Sequence, residues 1–502
     1  MGFAFEKNLE ILWMEHYPVV ITGAGPAGLT AAYELTKQGI KPIVLESADK
    51  VGGISRTEVY KGYRFDLGGH RFFTKVVAVQ QLWKEVLGEE FLKVPRMSRI
   101  YYQGKFFDYP LSIFNTLSNL GILPSFFILL SYLKAKLKKR LRPGPEPETF
   151  DQWVIDRFGR RLYRIFFQTY TEKVWGIACN KIQADWAAQR IQGMSLKKAV
   201  FNALFGTHKT ASLIKEFDYP VLGPGMMWER FQEAVESKGG QVCLNTPVIR
   251  VERDGNRITG ITAQRDGETI QISGDQFIST MPVTALIQRL DPPAPDEVIH
   301  AAKSLSYRAF IIVALVVDHP DLFPDNWIYI HSPEVKVGRI QNFKNWSPAM
   351  VPDPSKTCLG MEYFCSEGDE IWTMSDTELL ELATRELGSL GLAKAGAVED
   401  GTILRQPKAY PVYDRDYREH LQVIQNYLET FENLQTVGRN GMHRYNNQDH
   451  SMLTAMLAVK NLQGEKHDLW QVNVERSYHE EFTKEEWQQT QEPAATPKAA
   501  IR

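Results

Sequence analysis

The stretch from Tyr17 to Glu46, YPVVITGAGPAGLTAAYELTKQGIKPIVLE, constrains the fold more than any other part of the chain. Val19-Val20-Ile21 is a short apolar run that ends at Gly23. Gly23, Gly25 and Gly28 form G-x-G-x-x-G, with Pro26 and Ala27 between the last two. Leu29, Ala32, Tyr33 and Leu35 then recur at helical spacing, with Lys37 and Gln38 outward. Gly39 stops the helix, and Ile43-Val44-Leu45 makes a second buried strand ending at Glu46. Strand, glycines, helix, strand and acid in this order predict a βαβ unit, where a glycine triplet alone would predict only a turn.

The spacing has a physical reason. Gly23 permits a tight turn, Gly25 lets the backbone approach a pyrophosphate, and Gly28 lets the helix pack close to the strand. The helix N-terminus then offers free N–H groups and the positive end of its dipole. Glu46 stands eighteen residues beyond Gly28, where a carboxylate can accept both ribose hydroxyls of an adenosine. The unit is therefore read as a dinucleotide site.

At 502 residues the chain has room for two or three domains. A hydrophobic fraction of 43% supports substantial cores, and a net charge of −2 gives no polycationic surface for nucleic acid. Cys179, Cys243, Cys358 and Cys365 form no C-x-x-C, so reduced structural thiols are expected, with no cysteine metal site. The first residues lack the basic, apolar, small order of a signal peptide, which points to the cytoplasm. Leu120 to Leu133 (LGILPSFFILLSYL) runs into Lys134, Lys136, Lys138, Lys139 and Arg140. It is too short to span a bilayer comfortably and contains Pro124. It is read as a buried helix with a basic, exposed end; the alternative is a monotopic membrane contact over 120–140.

Further along, Gly52-Gly53 can close backbone amides over a flat or anionic group. Tyr63 to Asp66 reads as a strand into Gly68-Gly69, a turn that presents His70. Arg99 to Tyr109 reads as a hairpin, and 150–205 as largely helical. Met227 to Ser237 is an amphipathic helix. Val248 to Arg253, Ile258 to Gln264 and Thr269 to Ser273 read as a meander, followed by a separate strand from Phe277 to Pro282. Tyr307 to Val317 and Cys358 to Phe364 are strand-like, and Leu379 to Leu390 and Asp449 to Leu462 are helical. Gln435 to Arg439 is a strand into a glycine turn. Residues 488–502 read as a disordered polar tail.

Together these elements resemble the flavin domain shared by amine oxidases, protoporphyrinogen oxidases and UDP-galactopyranose mutases. The resembling parts are Tyr17–Thr57, Val221–Pro282 and Thr436–Leu462. Within that superfamily the mutases are most similar. Asp66-Leu67-Gly68-Gly69-His70 resembles their flavin-facing histidine loop, and Lys105 to Pro110, including Tyr109, their nucleotide-side segment. Lys173-Val174-Trp175 resembles their helical domain, and Ala184 to Arg190 the segment that bears a substrate arginine. Trp327-x-Tyr329 and Arg339 match the second substrate arginine and its aromatic neighbours. Tyr410, and Tyr445 with Asn447, Gln448 and Ser451, match positions around the diphosphate and flavin. Leu111 and Ser112 replace the aromatic and amide that contact uracil in the family, so the phosphate and sugar positions are better kept than the base positions.

The resemblance implies an α/β protein. A Rossmann-like FAD-binding domain, discontinuous over 16–75, 215–300 and 405–465, would carry a mainly helical insertion (76–214) and an α+β substrate domain (301–404). It implies FAD held by Gly23, Gly25, Pro26, Ala27, Gly28, Glu46, Gly53, Gly69, His70, Val248, Gly438, Arg439, Asn447, Gln448 and Ser451. It implies a sugar nucleotide held by Tyr109, Trp175, Arg190, Trp327, Tyr329, Arg339, Tyr410 and Tyr445, with His70, Arg190 and Arg339 closest to the chemistry. Arginine forks suit a diphosphate, which tyrosine hydroxyls can also bind. His70 is assigned no proton transfer. The implied reaction interconverts pyranose and furanose forms through a covalent adduct of the sugar with N5 of reduced flavin, and NAD(P)H is a candidate reductant. Two rivals stand beside it. One is an amine-oxidase-like or protoporphyrinogen-oxidase-like oxidoreductase that passes hydride from a small substrate to FAD. The other is a binding component with a degraded site. The sequence assigns no oligomeric state.

Overall fold

The glycine-rich unit forms as its sequence dictates. In the computed structural model, which describes residues 15–109, 111, 113–141, 145–184 and 215–473, the strand Glu15–Thr22 leads into the helix Pro26–Lys37 and then the strand Ile43–Leu45. Pro26 opens the helix at a position where a missing N–H costs nothing. Its buried face is set by Leu29, Ala32, Tyr33 and Leu35.

These elements seed an eight-stranded sheet. Glu15–Thr22 lies between Ile43–Leu45 and Glu268–Ser279, parallel to both, and Gln241–Cys243 extends the edge beyond Ile43–Leu45. On the other side Glu268–Ser279 pairs first with Arg257–Arg265 and then with Leu434–Thr436. The helices Pro26–Lys37, Pro224–Ser237 and Gln448–Leu462 cover one face and share one apolar core. The fold is therefore α/β with a Rossmann-like layer assembled from three distant parts of the chain. The meander and the strand expected after it merge into one continuous strand, Glu268–Ser279. Gly274 lies within it, and a Cβ there would stand 2.7 Å from Val20 Cγ2.

A second sheet has seven strands in the order Val398–Pro411, Tyr307–Val317, Thr357–Cys365, Arg339–Asn342, Trp327–Ile330, Ser98–Tyr102 and Lys105–Asp108. Two boundaries move as a result. The hairpin 98–108 belongs to this sheet, not to the helical block 76–214, because Ser98–Tyr102 pairs in parallel with Trp327–Ile330. Residues 405–411 also belong here, because they continue the strand Val398–Pro411 along Tyr307–Val317. The helix Asp376–Ser389 packs on one apolar side of this sheet. The helices of 122–175 pack with the hairpin 98–108 around Phe107, Phe150 and Phe166.

The apolar stretch after Leu120 is helical, Ile122–Leu141, but it is not the buried helix expected. Only Ile128 and Tyr132 are buried along it. The expected helical content of 150–205 is seen to residue 184; its remainder, Arg190 and the tail 488–502 lie outside the described residues.

Candidate functional site

The two sheets meet around two joined cavities. The larger, about 510 Å3, is lined by Gly23, Gly25, Pro26, Ala27, Glu46, Gly53, Val248, Gly438, Arg439, Asn447, Gln448 and Ser451. The expected cofactor residues are thus brought together from all three parts of the chain. Gly28 stands behind this wall, where a Cβ would come within 1.8 Å of the Gly23 carbonyl oxygen. Gly23 has φ +97°, and a Cβ there would meet Thr280 Oγ1 at 2.1 Å.

Two helix N-termini open on this cavity. Gly25 precedes Pro26–Lys37 without a side-chain cap, and Asn447 precedes Gln448–Leu462. Their first-turn N–H groups favour anionic oxygens. Glu46 closes the far end, its Oε2 accepting from the Ala24 N–H at 2.6 Å and its Oε1 from the Ala48 N–H at 2.9 Å. It therefore pins the glycine turn as well as lining the cavity. Val248 lines the same end, with its carbonyl held by Arg289 Nε at 2.9 Å. A long cavity with a glycine cradle, two helix N-termini and a carboxylate at one end fits FAD extended along it.

The smaller cavity continues past Arg439, Asn447 and Gln448 to Gly69, His70, Arg71, Arg339, Tyr410 and Tyr445. The second sheet sets its geometry. Tyr329, Arg339 and Glu362 are cross-strand neighbours on three adjacent strands. Arg339 donates from Nε (2.8 Å) and Nη2 (2.6 Å) to Glu362 Oε2, and Gln341 Nε2 donates to Oε1 at 2.9 Å. Burial opposes the Arg339 charge, but the Glu362 carboxylate holds the guanidinium firmly protonated. Tyr410 and Tyr445 stack at 5.7 Å, with the Arg439 guanidinium 4.8 Å from the Tyr445 ring. Burial pushes the Tyr410 hydroxyl well above its ordinary pKa, so it stays a hydrogen-bond donor.

His70 is half-buried, and its Nδ1 has no hydrogen-bond partner. Burial, then Arg439 and Arg339, pushes its pKa down to about 3. It is neutral at physiological pH and suited to packing and hydrogen bonding. Around this centre Tyr329 touches Tyr109 (4.9 Å) and Trp327 (6.3 Å), and Trp175 lies 6.3 Å from Tyr445.

Sequence reasoning missed several contributors. Glu362 is one, and a lone acid inside the fully buried strand Thr357–Cys365 was its signal. Arg71, next to His70, lies 5.3 Å over the Trp327 ring. Tyr170 meets Tyr329 edge-on at 5.5 Å and stacks on His331 at 4.8 Å. Arg56, on the long cavity, donates to the Gly53 carbonyl and to Gln406 Oε1.

A glycine-cradled dinucleotide cavity that opens under a second, sheet-built domain defines a two-domain dinucleotide-binding fold. The family model described as flavin containing amine oxidoreductase matches residues 26–406, and the chain belongs to that family. Among relatives, it is 24% identical over 408 residues to a 15-cis-phytoene desaturase of Capsicum annuum, covering 74% of this chain and 64% of that one. It is 24% identical to an L-amino acid oxidase of Cerastes cerastes over 58% of this chain and 56% of that one. The chain thus spans about three fifths of the length of the curated relatives it matches. Among solved structures, a reduced UDP-galactopyranose mutase superposes with a TM-score of 0.79 at 23% identity, covering 91% of this chain and 98% of that one. A putrescine oxidase bound to putrescine superposes at 0.60 with 19% identity, covering 90% and 100%. These likenesses establish the fold.

Proposed function

We propose that the chain is an FAD-dependent sugar-nucleotide mutase acting in the cytoplasm, interconverting pyranose and furanose forms with the flavin reduced. The observation that carries this reading is the charge of the smaller cavity. Arg71, Arg339 and Arg439 line it, three cations against two carboxylates, Asp449 in the lining and Glu362 paired with Arg339 behind it. Such a wall favours a diphosphate and disfavours an amine cation. The likeness to a reduced UDP-galactopyranose mutase supports the same reading, and four cysteines buried as thiols suit a reducing compartment.

Reduced flavin, when bound, supplies a nucleophilic ring nitrogen to the anomeric carbon, and NAD(P)H is the candidate donor that reduces it. The chain's residues do the rest by position and charge. Arg339, anchored by Glu362, grips the leaving diphosphate, and Tyr410 and Tyr445 donate hydroxyl hydrogen bonds to the same oxygens. Tyr329, beside Arg339 on the adjacent strand, and its ring neighbours Trp327 and Tyr109 are assigned to the sugar and nucleotide side. Neutral His70, which lines the smaller cavity, would help position the flavin ring or the sugar. Calorimetric titration of the flavin-loaded protein tests this: nucleoside diphosphates and sugar nucleotides should bind, and simple amines should not.

The second reading is an oxidoreductase that passes hydride from a small organic substrate to FAD. The family match and the relatives named as amino acid and putrescine oxidases favour it. It requires substrate to bleach the oxidised flavin.

A further inference from the structure

The helix Ile122–Leu141 has no role in the site described above, and its surface is unlike the rest of the molecule. Of the fourteen large hydrophobic side chains exposed among the described residues, nine lie on this one helix. Ile122, Phe126, Leu129, Leu130, Leu133 and Leu137 follow helical spacing along a single outward arc, and Ile122 is 90% and Leu123 71% exposed. Ile128, on the opposite side, packs into the core around Phe150 and Trp153, and Tyr132 one turn on is buried on the same side. The outward arc is thus held in place by the inward one. Exposed singly such residues would need no explanation, but a contiguous apolar stripe marks a binding surface.

Charge indicates what covers it. The C-terminal half carries Lys134, Lys136, Lys138, Lys139 and Arg140, and the helix has no acidic residue. Exposed Arg157, Arg160, Arg161 and Arg164 flank it, with the Arg161 guanidinium 4.7 Å over the Phe127 ring. Of the chain's own stretches outside the described residues, 474–502, with Glu475, Glu480, Glu481, Glu485, Glu486 and Glu492, is the competing occupant that an absence of flotation would favour, while 185–214 holds Arg190, Lys197, Lys198 and Lys209 against Asp185 and brings no complementary charge. A second copy packed through this face would likewise leave both sets of cations without counter-charge. An anionic lipid surface supplies an apolar phase and negative headgroups together. No helix among the described residues is long and apolar enough to cross a bilayer. An in-plane position is what remains for a helix of this composition at a membrane.

We propose that Ile122–Leu141 lies in the interface of an anionic membrane, with its apolar arc among the acyl chains and its basic end at the headgroups. The partner is the lipid surface itself. This inference is independent of the reaction the enzyme performs.

Flotation of the flavin-loaded full chain with vesicles of phosphatidylcholine, alone or with about one third phosphatidylglycerol, tests it. The protein should float with the anionic vesicles and much less with the neutral ones. Lys138→Gln with Lys139→Gln should weaken partition about fivefold for each cation removed. Leu130→Ser with Leu133→Ser should weaken it at least tenfold, an estimate from the transfer cost of two leucine side chains. Flavin absorbance and melting temperature should not change in either variant, because all four positions are exposed. The proposal is overturned if the parent protein stays unbound with anionic vesicles, or if both variants float as the parent does. It is equally overturned if sedimentation equilibrium shows a dimer that Leu130→Ser with Leu133→Ser dissolves while no flotation occurs.

Discussion

Arg339 and Glu362 face each other across adjacent strands, and two nitrogens of the guanidinium converge on one carboxylate oxygen at 2.6 and 2.8 Å. Glu362 is fully buried, so the pair fixes one guanidinium orientation at the wall of the smaller cavity. Arg339→Ala should abolish turnover while flavin stays bound. It should also destabilise the fold by about 3–5 kcal/mol, because a buried carboxylate is left without its partner. Adding Glu362→Gln to Arg339→Ala should restore much of the stability and none of the activity. Flavin content and urea unfolding of the three proteins separate these effects. Loss of flavin from Arg339→Ala would place the arginine wrongly.

Tyr410 and Tyr445 are assigned to the diphosphate oxygens. Tyr410→Phe and Tyr445→Phe should each raise KM about tenfold or more, the size of one hydrogen bond to a charged group. The flavin spectrum should be unchanged. Steady-state kinetics with the best sugar nucleotide checks this, and an unchanged KM would remove the residue from the substrate site.

Gly28 leaves no room for a Cβ against the Gly23 carbonyl oxygen. Gly28→Ala should therefore cost about 3 kcal/mol or more through overpacking of the glycine turn. The flavin-to-protein absorbance ratio should fall with it. A stable, flavin-saturated Gly28→Ala protein would contradict the close approach of helix and turn.

Asp66 gives a pH signature. Burial pushes its carboxyl from an ordinary value near 3.8 to about 7, against the pull of hydrogen bonds from Tyr219 and from Thr57 at 2.7 Å. The folded state therefore favours the protonated acid. Its contribution to stability is complete below about pH 3.8 and is lost as pH rises through about 7. Asp66→Asn cannot titrate, so its stability relative to the parent should climb between about pH 4 and 8 and then level off. Urea unfolding at several pH values reads the difference, and parallel pH curves would contradict it.

Much of this was legible in the sequence where local pattern and tertiary structure agree. The glycine unit carries its own turn, helix start and helix stop, so Gly23 to Glu46 could be placed from spacing alone. Arg339, Tyr410 and Tyr445 were legible only through resemblance, since a lone arginine or tyrosine has no local signature of its role. A hairpin is legible over Arg99 to Tyr109 and forms over 98–108, but its partner strand Trp327–Ile330 lies over two hundred residues away, and no local signal names such a neighbour. The helix 122–141 misled for a related reason. Apolar content predicts a need for cover and does not say whether the chain itself supplies it.

The central claim is ring-size isomerisation without net redox change. The most direct measurement incubates the flavin-loaded protein, oxidised or reduced by dithionite under anaerobic conditions, with UDP-galactose and other sugar nucleotides, and follows the sugar ring by NMR. The account predicts interconversion of pyranose and furanose forms by the reduced protein alone. Unchanged sugar nucleotides throughout, together with bleaching of the oxidised flavin by an amine or amino acid, would contradict it and establish an oxidoreductase.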